Sequence, residues 1–225
     1  MKNELIVNSD PKSNVAETLR IVRTNIQFSA VDEKLKTILI TSSLPGEGKS
    51  FISSNLAVTF ALNNNKVLLV DCDMRKGRLH KIFNVDNEIG FSNLLIDDIA
   101  ADVRKYIKKT EIENLSVITM GTIPPNPSEL LASARCKVVI DMLKNKFDYI
   151  IFDGTPVNGL TDSIIMASLV DKVVIVTSVG DTNVESLKNC KQSLENVDAN
   201  IAGIVANKTP TTNSSYYSYY GYYGE

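Results

Sequence analysis

The sequence contains few of the residues that build metal centres, disulfide frameworks or histidine-based catalytic sites. Its 225 residues include one histidine, His80, no tryptophan, and three cysteines at positions 72, 136 and 190 without a C-x-x-C pair. A lone histidine has no partner for a metal site or a catalytic triad, and three scattered cysteines indicate neither a zinc site nor a disulfide framework. This cysteine usage is typical of a reducing cytoplasm.

Charge and hydropathy exclude two further classes of protein. The net charge is −2, so no overall field favours nucleic acid or an anionic membrane. No apolar run approaches the roughly 20 residues that span a bilayer, and residues 1–14 lack the apolar core of a signal peptide. With 44% hydrophobic residues the chain can bury the core of one large α/β domain, and we expect it to reach a membrane only through a partner.

Residues 36–56 predict a phosphate-binding loop between a strand and a helix. An apolar strand over residues 37–40 leads into a turn-rich segment, and Gly48-Lys49-Ser50 then opens a helix-compatible run. Backbone N–H groups and the helix N-terminus of such a loop bind phosphate, while the lysine reaches the outer phosphates and the serine hydroxyl binds Mg²⁺. An ordinary Gly/Pro turn is the alternative, but the Gly-Lys-Ser directly after an apolar strand favours nucleotide binding. The predicted ATP-binding residues of this segment are Ser43, Leu44, Pro45, Gly46, Glu47, Gly48, Lys49, Ser50 and Phe51, with Ser43 where the usual motif has its first glycine.

Three carboxylates stand at the ends of apolar runs that read as buried parallel strands. The run KVLLVDCD at residues 66–73 ends in Asp71 and Asp73, and NKFDYIIFD at residues 145–153 ends in Asp153. Strand alternation puts Asp71 and Asp73 on the same side, and buried strands do not tolerate carboxylates without a purpose. Because ligands of open α/β sheets lie beyond the carboxyl ends of the strands, we expect metal binding and proton acceptance here. The alternative is a helix cap, or a pair satisfied by Arg75.

Further apolar runs at residues 171–178 and 200–206 complete a strand-and-helix pattern. An α/β domain is therefore predicted over residues 15–208, with the three-layer P-loop NTPase fold and a mainly parallel central sheet flanked by helices. A flexible arm is expected over residues 1–14 and a flexible tail over residues 209–225. Asn207, at the end of the last strand, can read an adenine edge or be an ordinary turn residue. The basic segment at Arg75, Lys76 and Arg78 can face phosphate, an acidic partner or solvent.

Two other segments allow both a structural and a functional interpretation. On the helix predicted over residues 15–29, Glu17, Arg20 and Arg23 share one face, which fits either a solvated ion pair or a self-association surface. The low-complexity tail holds six of the eight tyrosines, so it is either a set of phosphate acceptors or a disordered, stacking tail. These tyrosines are Tyr216, Tyr217, Tyr219, Tyr220, Tyr222 and Tyr223.

Taken together, these motifs resemble those of the bacterial tyrosine kinases of capsule and exopolysaccharide systems, the BY-kinases, in their free-standing Gram-positive form. Residues 43–50 look like the family's Walker A motif, LLVDCDMR at residues 68–75 like its Walker A′ motif, and YIIFD at residues 149–153 like its Walker B motif. Glu17, Arg20 and Arg23 match an E-x-x-R-x-x-R motif, and PPNPSELL at residues 124–131 and the tyrosine cluster are also family features. The resemblance covers residues 15–225. It departs after Asp153, where Gly-Thr-Pro replaces the family's Thr/Ser-Pro-Pro.

The resemblance implies an ATP- and Mg²⁺-dependent protein-tyrosine kinase that phosphorylates its own tail tyrosines in trans and regulates capsular or exopolysaccharide synthesis and export. Asp71, Lys49 and Asp73 would be catalytic, and Ser50, Asp73 and Asp153 would hold Mg²⁺. Glu17, Arg20 and Arg23 would lie at the subunit contacts of a ring, reported as octameric. The implied partners are a separate transmembrane activator, whose cytoplasmic C-terminus completes the site and recruits the kinase to the membrane's inner face, and a cognate tyrosine phosphatase. No nucleic acid is implied.

Two other functions stay open on the sequence. A partition or cell-division ATPase of the deviant Walker type would carry a second lysine just after the loop's first position, where this chain has Leu44, and would lack the tyrosine cluster. A nucleotide-gated scaffold, whose tail recruits polymerisation machinery, is compatible with the kinase.

Overall fold

A seven-stranded sheet between two layers of helices forms the part of the chain that the structure, a computed structural model, describes: residues 4–30, 35–97 and 102–210. The strands are β1 Thr37–Ser42, β2 Val67–Asp71, β3 Lys108–Lys109, β4 Leu115–Ile118, β5 Tyr149–Pro156, β6 Lys172–Ser178 and β7 Ile201–Asn207. The helices are α1 Ile6–Ser9, α2 Asn14–Phe28, α3 Lys49–Ala61, α4 Leu79–Ile82, α5 Phe91–Ile96, α6 Pro127–Ala132, α7 Ala134–Lys144, α8 Asp162–Ala167 and α9 Val184–Glu195, with a 3-10 turn at Val103–Tyr106.

The strand order, β3-β4-β2-β5-β1-β6-β7, determines which strand ends meet. Every pairing is parallel except that of β3 with β4. The carboxyl ends of β1, β2, β5, β6 and β7 therefore lie along one edge of the sheet, where ligands of open α/β sheets bind. The predicted mainly parallel, three-layer fold is confirmed.

Alternating side chains of the central strands supply two hydrophobic cores, one on each face of the sheet. Ile38 and Ile40 of β1 face the core formed with α1, α2 and α3, while Leu39 faces the core formed with α5, α7, α8 and α9. All of β1 and β2 is buried, as the unbroken apolar runs of parallel strands predict. Cys72, Cys136 and Cys190 are free thiols buried in the core on the α5–α9 face.

The flexible arm predicted over residues 1–14 needs correction, because its described part packs against the domain. Val7 is fully buried, and its backbone N–H donates to Asn55 Oδ1 at 3.1 Å. The Asn55 amide in turn donates to the Glu4 carbonyl at 2.7 Å. Helix α1 has only four residues, too few for periodicity to reveal it, so its attachment to α3 was not predicted from the sequence.

No helix in these described ranges is long and apolar enough to cross a membrane.

Candidate active site

The phosphate loop, residues 43–48, joins β1 to the 13-residue helix α3, and two glycines permit its path. Gly46 has φ +80° and Gly48 has φ +99°, a left-handed region that favours glycine. A Cβ on Gly48 would also lie 2.1 Å from Asn207 Nδ2. The loop thus delivers the chain directly into the N-terminus of α3, where backbone N–H groups without intrahelical partners can bind an anion.

Lys49, the first residue of α3, lies beside the acidic ends of the neighbouring strands. Its side chain is 8% exposed, and burial lowers the pKa of the ammonium group below its ordinary value. The charges of Asp153, Asp73 and Glu47 act in the opposite direction on the same pKa, so all three carboxylates are close enough to interact. The structure therefore brings the lysine that is predicted to bind phosphate close to the predicted metal ligands.

Asp71 and Asp153 face each other across β2 and β5, where they are directly paired in register. Both are buried, and Oδ1 of each has no hydrogen-bond partner within the described part of the chain. Burial, reinforced by the charge of Asp153, raises the pKa of Asp71 well above its ordinary value. Burial also raises the pKa of Asp153, to about 6, although the hydroxyls of Ser50 and Ser53 and the Lys49 charge oppose the shift.

The donors gathered here fit a magnesium ion bound together with a nucleotide. Serine hydroxyl and carboxylate oxygens are hard ligands, and Mg²⁺ commonly takes one or two protein carboxylates and completes its shell with phosphate and water oxygens. The buried, unpartnered Oδ1 of Asp153 is the observation that calls for a ligand.

Asp73 lies just after β2, in a turn rather than in the predicted strand. Its Oδ1 accepts the backbone N–H groups of Arg75 and Lys76, at 3.1 and 2.9 Å. Arg75 binds Asp162 with two nitrogens, Nε to Oδ2 at 2.9 Å and a terminal nitrogen to Oδ1 at 3.2 Å. The Arg75 side chain therefore pairs with Asp162 rather than with Asp71 or Asp73, as the structural alternative supposed, and it fastens the Asp73 turn to α8.

No sequence motif marks Asp162, which is 1% exposed at the start of α8. The two remaining basic residues of the segment differ: Arg78 pairs with Glu4 at 3.1 Å, and Lys76 is exposed. Close packing also explains Gly77, because a Cβ there would lie 2.6 Å from Asp71 Oδ2.

Glu47 and Asn207 bind the phosphate loop to its neighbours rather than pointing at an open site. The Glu47 carboxylate accepts bonds from Ser43 and Leu44 within the loop and from Ser178 and Thr182 at the end of β6. Burial raises the pKa of this carboxyl, but these bonds outweigh it and hold the pKa below its ordinary value. Asn207 Nδ2 donates to the Glu47 carbonyl at 2.9 Å, so this amide has a structural partner in addition to its predicted adenine-reading role.

The remaining residues predicted to bind ATP differ in their surroundings. Ser43 stands where the usual motif has its first glycine, and its hydroxyl donates to the Glu47 carboxylate at 3.0 Å. Pro45 and Gly46 are exposed at the loop's tip. The half-buried Phe51 side chain packs against the core on the α1–α3 face.

The departure after Asp153 forms an irregularity in the pairing of β5 with β1. Ile40 pairs with Asp153 and Ser42 with Pro156, so Gly154 and Thr155 together lie opposite one residue, Thr41. The Thr155 carbonyl accepts hydroxyl bonds from Thr41 and Ser163, both at 2.7 Å. A Cβ on Gly154 would lie 2.5 Å from Ser163 Oγ, so a smaller residue is required here than the family's threonine or serine.

The remaining predicted residues lie outside this constellation. On α2, Arg20 donates to Glu17 at 2.7 Å and to the Pro11 carbonyl at 2.6 Å, and Arg23 donates to the Thr59 carbonyl at 2.8 Å. The six tail tyrosines fall outside the described residues. The chain nevertheless leaves β7 at Asn207, in contact with the phosphate loop, so the tail starts beside the candidate site.

Comparisons with known proteins agree with this geometry. The family model described as an AAA domain matches residues 35–206. CapB of Staphylococcus aureus, named for tyrosine-protein kinase activity, is 41% identical over 214 residues, 95% of this chain and 93% of that protein. Tyrosine-protein kinase YwqD of Bacillus subtilis is 36% identical over 96% of this chain and 91% of that protein. The crystal structure of the chimerical protein CapA2B2 superposes with a TM-score of 0.88 at 40% identity, covering 93% of this chain and 92% of that one.

A solved structure with lower sequence identity has the same fold. The septum site-determining protein MinD of Pyrococcus horikoshii, complexed with Mg-ADP, superposes with a TM-score of 0.65 at 24% identity, over 80% of this chain and 72% of that chain. This likeness shows the architecture alone.

Proposed function

This chain belongs to the bacterial tyrosine-protein kinases, and we propose that it transfers the γ-phosphoryl group of MgATP to tyrosines in the tail of a neighbouring copy. The observation that carries the proposal is that Lys49, Asp71 and Asp153 lie together beside the phosphate loop. This arrangement places the lysine ammonium group beside two buried carboxylates, each with an Oδ1 that has no hydrogen-bond partner among the described residues. Such groups are typical of functional sites.

In the proposed mechanism, the N-terminus of α3 and the loop amides bind the phosphates, and Lys49 contacts the outer ones. Ser50 and Asp73 would hold Mg²⁺, with Asp153 behind them; the bound ion neutralises charge on the transferring phosphoryl group. The tyrosine Oη forms a bond to the γ-phosphorus as the bond from that phosphorus to the bridging oxygen of ADP breaks. Asp71 accepts the hydroxyl proton. A positioned base matters because a free tyrosine has a pKa of about 10.

The length of the tail allows transfer between copies. Residues 211–225 follow β7, whose end at Asn207 contacts the phosphate loop. Fifteen extended residues would reach about 50 Å, enough to leave the chain's own site and enter another. Each phosphate adds about −1.5 to −2 charges, so phosphorylated tails would repel one another and loosen an assembly. The proposed cycle is assembly of unphosphorylated chains and separation of phosphorylated ones.

Replacing all six tail tyrosines by phenylalanine tests the acceptor assignment. We expect the ³²P label transferred from γ-labelled ATP to fall to a small fraction of the wild-type level, because phenylalanine keeps the ring and lacks the accepting oxygen. Replacing Tyr149 alone, which lies at the amino end of β5, is the matched control and should leave labelling intact. Persistent label in the six-fold variant would mean that the main acceptors lie elsewhere.

We further propose that Glu17, Arg20 and Arg23 on α2 contribute to contacts between copies in a ring, an octamer by family resemblance. The support is local: Arg20 and Glu17 form an exposed pair, and Arg23 has a buried Nε without a hydrogen-bond partner in the described structure. A neighbouring chain could supply acceptors for these guanidinium groups.

Exchange of both arginines, Arg20→Ala with Arg23→Ala, should leave the protein monomeric in multi-angle light scattering. The paired variant Lys188→Ala with Lys191→Ala, which removes two exposed cations of α9, should keep the wild-type mass. Circular dichroism would establish that the first variant is folded, since Arg23 also binds the Thr59 carbonyl. An unchanged large assembly with native circular dichroism would contradict the contact role.

The cellular setting follows from the family. We propose that a separate transmembrane activator, through its cytoplasmic C-terminus, completes the site and recruits the kinase to the inner face of the membrane. A cognate tyrosine phosphatase would reverse the reaction, and the cycle would control capsular or exopolysaccharide synthesis and export.

A further inference from the structure

The Glu47 side chain connects two segments that the sequence keeps far apart. It is 2% exposed, although it belongs to a loop whose tip is open to solvent. Oε2 accepts the backbone N–H of Leu44 at 2.6 Å, and Oε1 accepts the backbone N–H of Ser178 at 3.3 Å and the Thr182 hydroxyl. One carboxylate therefore joins the phosphate loop to the segment between β6 and α9, residues 179–183, which we term the β6–α9 loop.

The same two segments are joined a second time through the end of β7. The Val179 N–H donates to the Asn207 carbonyl at 3.0 Å, while Asn207 Nδ2 donates to the Glu47 carbonyl at 2.9 Å. At the surface, Asp181 pairs with Lys208 at 3.2 Å and accepts the Ser178 hydroxyl at 2.6 Å. The β6–α9 loop is thus exposed on its outer side and tied, on its inner side, to the base of the phosphate loop.

A carboxylate suits this connection because it accepts hydrogen bonds at both oxygens. The backbone N–H of Leu44 donates to Oε2 and that of Ser178 to Oε1, and the Ser178 N–H is shared with Thr182 Oγ1 at 3.2 Å. A glutamine offers only one acceptor oxygen and would lose one of these accepted bonds. If the β6–α9 loop moved away, the Glu47 carboxylate would keep the donors from Ser43 and Leu44 but lose those from Ser178 and Thr182.

We propose that Glu47 is a positioning residue through which the β6–α9 loop controls the affinity of the phosphate loop for nucleotide. Glu47 touches no phosphate in this role; it orients the Leu44 amide and the Ser43 hydroxyl, and thereby fixes the loop's path. The inference rests on the proposed nucleotide site and adds a control segment to it. Whatever displaces residues 179–183 should weaken nucleotide binding, and whatever stabilises them should strengthen it.

Thr182→Val tests the link without altering any residue assigned to phosphate or metal. Valine keeps the branched shape and removes the hydroxyl that donates to Glu47. Because a hydrogen bond to a charged group is lost, we expect the Kd for MgADP, measured by isothermal titration calorimetry, to rise about tenfold. Thr182→Ser restores a hydroxyl and should bring the Kd back to within roughly twofold of the wild-type value.

A second threonine separates positioning from general stability. The Thr110 hydroxyl donates to the Leu115 carbonyl at 2.9 Å near the edge strands, so Thr110→Val also removes a hydroxyl bond. It should lower the melting temperature and leave the Kd for MgADP unchanged. If Thr182→Val lowers the melting temperature but binds MgADP like the wild type, the inference is overturned and the proposed function stands. Failure of the wild type to bind MgADP would instead overturn the proposed function.

Discussion

Replacing Lys49 by methionine is expected to reduce phosphotyrosine formation to background. Methionine keeps the length of the buried stem and removes the ammonium group, which lies in the field of Asp153 and Asp73 where the outer phosphates would bind. Loss of one preorganised charged group from a dry phosphoryl-transfer site costs about 10²–10³-fold in rate. The measurement is transfer of ³²P from γ-labelled ATP to the purified protein.

The matched control for this variant is Lys66→Met. Lys66 is exposed before β2 and has no place in the proposed site, so its replacement should leave labelling within about twofold of the wild-type rate. Both variants should retain the wild-type circular dichroism spectrum. Equal labelling of Lys49→Met and wild type would remove the ATP site from the phosphate loop.

Asp71→Asn should have two effects of opposite sign, a large loss of activity and a gain in stability. The asparagine cannot accept the tyrosine proton, so kcat should fall by about 10²–10⁴-fold. Its carbonyl oxygen can still accept the Leu79 N–H that Asp71 accepts at 3.1 Å, so the local fold is kept. The substitution also removes a buried carboxylate that faces Asp153, and the free energy of unfolding should rise by about 1–3 kcal/mol near neutral pH.

The stability gain should depend on pH in a direction set by the raised pKa of Asp71. Below about pH 4 the carboxyl is protonated in both the folded and the unfolded chain, so wild type and variant differ little. As the pH rises, the unfolded chain releases this proton while the buried carboxyl retains it, and the wild type loses stability until the pH passes the raised pKa. The advantage of Asp71→Asn should therefore grow from about pH 4 towards neutral pH.

Urea unfolding at several pH values measures this advantage, with Asp10→Asn as the exposed control. The control should show no comparable gain at any pH. An Asp71→Asn variant that is less stable than wild type near neutral pH, or whose advantage shrinks as the pH rises, would show that Asp71 is not a destabilising buried carboxylate. A variant that is stable but fully active would remove the general-base assignment.

The sequence predicted those parts of the site that depend on short segments. Unbroken apolar runs predict β1, β2 and β5, and the carboxylates that end two of these runs, Asp71 and Asp153, lie within β2 and β5 at the predicted edge of the sheet. Parallel pairing then brings strand ends together whatever the connections between them, which explains why the acidic pair could be expected. The glycines at 46 and 48 likewise follow from local backbone geometry.

The supports of the site were not predicted, because their partners are distant in sequence. Glu47 binds Ser178 across 131 positions, and Arg75 binds Asp162 across 87. Nothing in either segment alone distinguishes a buried carboxylate that joins two segments from a solvent-exposed one. The sequence therefore predicts Glu47 only as a residue of the ATP-binding loop. Asp73 was placed in a strand because alternation continues in the sequence, whereas the structure ends β2 at Asp71 and forms a turn stabilised by the Asp73 side chain.

Mass spectrometry of the purified protein after incubation with MgATP tests the central claim most directly. The comparison would be made with and without the cytoplasmic C-terminal segment of the proposed activator, and with Lys49→Met as the inactive reference. We predict several phosphates per wild-type chain, on tyrosines 216–223, and none on Lys49→Met. An unmodified tail in every condition, while ADP accumulates from ATP, would identify an ATPase and contradict the assignment as a tyrosine kinase.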